Sequence, residues 1–115
     1  MRQKRADKAF IEDMLESCDA IIEYTSGLTY DAFKSDRKTL DAVMRRFTIL
    51  GEAATKLNSE FRSLHPAIPW RSTINMRNVL IHFYHGADTE VVWRTIKENI
   101  PELKEKLAQV FKNLA

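Results

Sequence analysis

Apolar residues recur at steps of three and four along nearly the whole chain, and only three glycines and three prolines interrupt them. An α-helix needs that spacing to gather side chains on one face. Phe10, Ile11, Met14, Leu15, Cys18, Ile21 and Ile22 form a first stripe. Asp7 is placed to cap its start, and Gly27 to end it in a left-handed conformation. Tyr30 and Phe33 follow in a short connector, where they can pin the turn to the core. A second helix starts after Ser35 or Asp36, with Leu40, Val43, Met44, Phe47, Leu50, Ala54 and Leu57 as its buried face. Gly51 interrupts that face at a cost of about 1 kcal/mol relative to alanine, which points to close approach of a neighbouring helix. The pattern weakens beyond Asn58, through Phe61 and Leu64, and Pro66 and Pro69 make a loop of the segment up to Trp70.

A third helix runs from about Trp70 to His85 and stops at Gly86. A fourth is capped by Asp88 or Thr89 and carries Val92, Ile96, Ile100, Leu103, Leu107, Val110 and Leu114 along its seam. Pro101 removes one internal hydrogen bond there and should kink or divide it. No segment alternates as a strand would, and no internal repeat is present. The expected fold is all-α, an antiparallel four- to five-helix bundle forming one domain over 1–115.

Eighteen Lys+Arg against sixteen Asp+Glu leave a formal charge of +2. That excludes a nucleic-acid binder that works by bulk positive charge, so any phosphate must be met by a few placed groups. A chain of this size buries only roughly two-thirds of its unfolded surface, which leaves room for an apolar face that meets a partner. Cys18 has no second cysteine to pair with, and no Cys/His cluster has zinc spacing. The charged start, Met1 to Lys8, leads into no signal-type apolar run, and no transmembrane stretch follows. A cytoplasmic location is the resulting expectation.

The third helix has an unusual make-up. With Arg77 set at zero and 100° per residue, Met76, Val79, Leu80 and Phe83 fall between about 200° and 300°, an ordinary core stripe. Tyr84, Arg77, His85, Asn78 and His82 occupy the opposite arc, from about −20° to 140°. Ile74 and Ile81 fall inside that arc, at about 60° and 40°. Two isoleucines among such polar groups suggest a surface that a second molecule covers. Ordinary roles exist for the same residues. A histidine in the last turn, such as His85, complements the helix dipole, and Tyr84 can be a core ring with a wet hydroxyl.

The run Arg77-Asn78-Val79-Leu80-Ile81-His82-Phe83-Tyr84 resembles the R-x4-H-x-Y motif of the HepT-like branch of the HEPN superfamily. Leu50-Gly51-Glu52-Ala53-Ala54, Pro66-Ala67-Ile68-Pro69-Trp70, Gly86-Ala87-Asp88 and Val92-Trp93 stand in the order and spacing of that family, so the likeness covers essentially the whole chain. Phe83 departs from the polar or acidic residue often found at its position. The resemblance implies a two-fold helical homodimer that acts as the metal-independent ribonuclease toxin of a type VII, HepT/MntA-like, toxin–antitoxin pair. It implies RNA as substrate, no cofactor, and a minimal nucleotidyltransferase as antitoxin partner that transfers AMP to Tyr84. Neither DNA nor a membrane enters this expectation.

The residue types suit that chemistry. Cleavage through the 2′-hydroxyl needs a proton carrier active near neutral pH, which makes His82 the base, the acid or both. The planar donor fork of Arg77 suits phosphoryl oxygens as their charge develops. Asn78 can orient the histidine or bind the phosphate. Five residues separate Arg77 from His82, about 140° and roughly 7.5 Å along one helix. One straight helix would struggle to close both on one phosphate, whereas two copies across a two-fold axis would share a groove. Ile74 and Ile81 are the candidate dimer-interface residues. AMP on Tyr84, about 20° from Arg77, would set an anion beside the phosphate-binding groups.

Two other readings remain open at this level: a non-catalytic nucleotide-binding module that complexes a nucleotidyltransferase, and a purely structural helical dimer. No aromatic base-stacking platform is evident, so the RNA is not named. Lys104, Lys106 and Lys112 fit a solvated face better than a set of phosphate contacts.

Overall fold

The computed structural model describes residues 2–84 and 88–114, with residue 2 and residues 79–84 described through their backbone alone. Seven α-helical segments follow one another: α1 (Arg2–Thr25), α2 (Tyr30–Ser35), α3 (Arg37–Lys56), α4 (Ser59–Leu64), α5 (Trp70–Tyr84), α6 (Thr89–Arg94) and α7 (Ile100–Asn113). No strand occurs among the described residues. The all-α expectation holds. α1 packs on α3 and α7, and α3 packs in turn on α5. The segment between α1 and α3 reaches about 33 Å at most when stretched around the short α2, less than the roughly 36 Å length of α1. α3 therefore runs back along α1 in the opposite sense.

Ile11, Met14, Cys18 and Ile21 are fully buried along α1, and Leu40, Val43, Met44, Phe47, Leu50, Ala54 and Leu57 line the facing side of α3 and its end. Both stripes are the ones expected from spacing. Gly27 has φ +77°, the left-handed setting that ends α1. Asp7 is not the cap. α1 begins at Arg2 because Arg2, Gln3, Lys4, Arg5 and Ala6 are all good helix formers. The Asp7 carboxylate is buried inside the helix and accepts from Gln3 Nε2 at 2.9 Å.

The true caps are regular. Thr29 accepts from the Ala32 N–H, Asp36 from Thr39, Asn58 from Phe61 and Asp88 from Glu90. They turn two stretches expected as connector and weak pattern into the short helices α2 and α4, which bury Phe33 and Phe61.

Pro101 divides the fourth rod without bending the chain out of helical geometry. Between α6 and α7 lies one π-helical turn, Thr95–Asn99, with Pro101 in the first turn of α7. The Ile100 N–H reaches back five residues to the Thr95 carbonyl. Widening the turn shifts the hydrogen-bond register just before the residue that has no N–H to give. Val92, Ile96, Ile100, Leu103, Leu107 and Val110 stay buried along the rod.

A small network fixes where α5 begins. Trp70 Nε1 donates to the His65 carbonyl at 3.0 Å and to the Arg62 carbonyl at 3.2 Å. Phe61 stacks on the His65 ring at 4.5 Å and meets Trp70 edge-on at 6.2 Å. Arg62 reaches the Ala54 and Thr55 carbonyls at the end of α3, and Thr73 Oγ1 donates to the Pro69 carbonyl at 2.8 Å. The prolines of this loop thus deliver α5 onto α3 at a set height.

Candidate functional site

The R-x4-H-x-Y motif lies on the second half of α5, which is helical without a break from Trp70 to Tyr84. What sets the rotation of α5 is its crossing with α3. A Cβ built on Gly51 would lie 2.9 Å from Arg77 Cβ, 3.5 Å from the Ile74 carbonyl oxygen and 3.6 Å from Arg77 N. Thr73, one turn before Arg77, is completely buried, while Ile74 and Arg77 are half-buried. The side of α5 turned to α3 is therefore centred near Thr73, Ile74 and Arg77.

This changes the wheel reading. The arc expected to be wholly exposed or partner-facing contains the contact with α3. Ile74 packs against the chain's own core, which accounts for its apolar side chain within one protomer. Met76 of the expected core stripe packs against the core as well, while the side chains of Val79, Leu80 and Phe83 lie outside the described residues; the gap left by Gly51 brings the Arg77 flank onto α3 in addition. Met76, at about 260° on the wheel, is half-buried and faces a groove of about 210 Å³ between α5 and α7, lined also by Ser72, Asn99, Glu102 and Lys106.

Arg71, Asn75 and Asn78 are exposed and cluster between about 100° and 160° on the same wheel. On the ideal wheel positions 82 and 84 fall at about 140° and −20°. The helix thus presents Asn78 to solvent beside an arginine anchored at its Cβ. The side chains of Ile81, His82 and Tyr84 lie outside the described residues, as does His85.

Other chemistry in the chain is quiet. Burial, then the Asp19 carboxylate, pushes the Cys18 thiol up to about 12, so it stays protonated and is no nucleophile near neutral pH. Lys104 pairs with Asp19 at 2.7 Å, a hydrogen bond and charge contact that raise its pKa, and Lys106 pairs with Glu102 at 3.1 Å. Two of the three C-terminal lysines are thus occupied within the chain. Among the described residues no group of three or more His, Cys, Asp and Glu side chains could hold a metal ion. No helix among them is long and apolar enough to cross a membrane.

A second cluster lies where α6 begins, five residues past Tyr84. Tyr30 Oη and Thr89 Oγ1 share a hydrogen bond of 2.7 Å. The Tyr30 and Trp93 rings are 6.2 Å apart, and Phe33 lies 5.0 Å from Trp93. Lys97 Nζ sits 4.5 Å from the Trp93 ring centre and Lys34 Nζ 6.0 Å from that of Tyr30. Sequence reasoning missed this cluster. Its only linear signal is an aromatic residue followed four positions later by lysine, once within α2 and once from α6 into the π-helical turn.

A family model described as "Ribonuclease HepT-like" matches residues 14–110. The "Probable ribonuclease HepT" of Thermococcus cleftensis is 43% identical over 109 residues, covering 95% of this chain and 99% of that protein. The "Putative RNase MJ1380" of Methanocaldococcus jannaschii is 38% identical over 104 residues, covering 90% and 95% respectively. The "Putative RNase TTE0752" of Caldanaerobacter subterraneus is 33% identical over 106 residues, covering 92% and 95%. No solved structure matches the chain. With a family model spanning most of its length and relatives aligned nearly end to end, the chain belongs to the HepT-like ribonuclease family.

Proposed function

We propose that this chain cleaves RNA without a metal ion, using Arg77 and His82 of α5, and that it is the toxin of a toxin–antitoxin pair. The carrying observation is the crossing at Gly51, which seats Arg77 against α3 while Asn78, the next residue, stays exposed. An arginine whose stem is fixed at its Cβ is placed to act as a phosphate clamp.

In this reading His82 takes the proton of the ribose 2′-hydroxyl, whose oxygen attacks the adjacent phosphorus. Arg77 stabilises the charge that builds on the phosphoryl oxygens. The bond to the 5′-oxygen breaks, and that oxygen receives a proton from histidine, leaving a 2′,3′-cyclic phosphate and a 5′-hydroxyl. Asn78 hydrogen-bonds to the phosphate or orients the ring. Since Arg77 and His82 are about 140° apart on the helix, the active unit is a homodimer in which two α5 helices share a groove. A nucleotidyltransferase antitoxin adds AMP to Tyr84, setting a bulky anion beside Arg77.

The test is cleavage of a single-stranded RNA oligonucleotide by the purified chain, with chelator present, beside expression of the same variants without a partner. His82→Ala should lose about 10²–10⁴ in rate and Arg77→Ala about 10²–10³. Both should relieve growth arrest. Cleavage by His82→Ala at the parent rate would refute the catalytic assignment and favour a nucleotide-binding module. Dimerisation is tested with Ile81→Asp, its fold checked by circular dichroism, because position 81 falls at about 40° on the wheel, between Ile74 and Arg77. An Ile81→Asp monomer as active as the parent would refute the shared groove. Tyr84→Phe should keep nuclease activity yet escape AMP transfer.

A further inference from the structure

We infer that the Tyr30–Trp93 surface stacks an unpaired base of the RNA, which makes single-stranded RNA the substrate class. This rests on the ribonuclease reading and deepens it.

The two rings are held from behind and along one side. Phe33, completely buried, supports Trp93 at 5.0 Å, and the Thr89 hydroxyl holds the Tyr30 phenol at 2.7 Å. Both rings remain half-buried, with their outer sides attended by exposed lysines. Lys97 lies over Trp93 and Lys34 near Tyr30, and neither is in a salt bridge among the described residues. A cation over a half-buried ring at the surface is weakly held, and a base that displaces it offers the same ring a larger contact. When a base takes that place, the released ammonium remains close enough to meet the phosphate joined to it.

Position supports the same occupant. Thr89 follows Tyr84 by five residues, so the two backbones are at most about 18 Å apart. A few nucleotides of single strand reach from the motif helix to Trp93. Charge limits the occupant too. Glu90, three residues before Trp93, and Asp31, next to Tyr30, are exposed carboxylates, so the surface is not a general polyanion site. Stacking, with one or two lysine contacts, is what it can supply. Bases in a duplex have their faces covered and cannot use it.

The experiment measures binding by full-length His82→Ala chain, so that the RNA survives, to a labelled single-stranded oligonucleotide and to its duplex. The single strand should bind at least about tenfold more tightly. Trp93→Leu should weaken it by about tenfold or more, within the range for loss of one stacked base, and Trp93→Phe should restore most of that. Lys97→Ala, an exposed change that keeps the ring, should weaken binding a few-fold, and Glu90→Gln should tighten it. The logarithm of affinity should fall with salt at a slope for one or two phosphates. Equal binding of duplex, parent-like affinity in both Lys97→Ala and Trp93→Leu, or a change of oligomeric state on replacing Trp93 each overturns the stacking site. Cleavage that persists in His82→Ala overturns the catalytic assignment instead and leaves these binding comparisons readable.

Discussion

Arg77 of α5 is seated against Gly51 of α3, with its Cβ 2.9 Å from where a Cβ on the glycine would stand. Gly51 is the one α3 position with no side chain, and it faces the arginine of the motif. The helix crossing and the motif therefore share a single contact. The glycine lowers the intrinsic stability of α3, and in return α5 comes close enough to fix the base of the arginine side chain.

Gly51→Ala tests that contact. Helix propensity alone would make alanine more stable by about 1 kcal/mol. The added methyl meets a Cβ and a backbone nitrogen, neither of which can swing aside, so α5 must shift. Overpacking of this kind costs about 1–3 kcal/mol. The net outcome expected from denaturant melts is a loss of about 1 kcal/mol, with a larger fractional loss of RNA cleavage. A stabilised, fully active Gly51→Ala would mean that the crossing is looser than described.

The indole of Trp70 is expected to act as a hydrogen-bonding lock. Trp70→Phe keeps most of the ring but removes the donor to the His65 and Arg62 carbonyls. A loss of about 1–2 kcal/mol should appear in thermal or urea unfolding. If the variant matches the parent, water replaces the indole without cost and the loop is not pinned by it.

Asp36 should give α3 an acid-sensitive cap. The Thr39 hydroxyl, then the Thr39 N–H, hydrogen-bond to its carboxylate and lower its pKa from 3.8. A lowered folded-state pKa contributes stability that is present above the unfolded value and lost as pH falls through the folded one. Asp36→Asn keeps a capping oxygen without the charge. Parent minus variant stability should be flat from pH 7 to about 5 and shrink below about pH 4. A difference that does not change with pH would remove the carboxylate from this account.

Ser17 is completely buried and its hydroxyl has no hydrogen-bond partner among the described residues. Ser17→Ala should therefore leave stability unchanged or raise it by up to about 1 kcal/mol. Next to it, Cys18 is fully buried with its thiol pushed up to about 12, so a thiol reagent should label the native chain only as fast as it unfolds. Rapid labelling at neutral pH would show that α1 opens locally.

The helices were readable from sequence wherever burial followed a strict step of three and four, as along Ile11, Met14, Cys18 and Ile21. Asp7 was misread as a cap because a carboxylate before an apolar stripe is also compatible with a helix already under way. The motif picks out Arg77 and His82 as candidates but not the setting of α5. Hydrophobic content points to Met76, which does pack against the core, yet it carries no sign that the missing side chain at Gly51 also draws the Arg77 flank onto α3. The Tyr30–Trp93 pair joins residues 63 positions apart in the chain, a contact that no local pattern carries.

The π turn before Pro101 amounts to one surplus residue stored inside a helix. Its effect on phase is visible in the seam, where Val92, Ile96 and Ile100 are spaced by four twice in succession, a run that an unbroken α-helix would let drift by about 80°. The wider turn takes up that drift and keeps all three buried. The rod is therefore asymmetric towards changes in length. Removing one residue from 95–99 would let the turn close to α geometry with positions 92 and 100 still within about 20° of one another, whereas adding one would set Trp93 about 100° out of phase with α7.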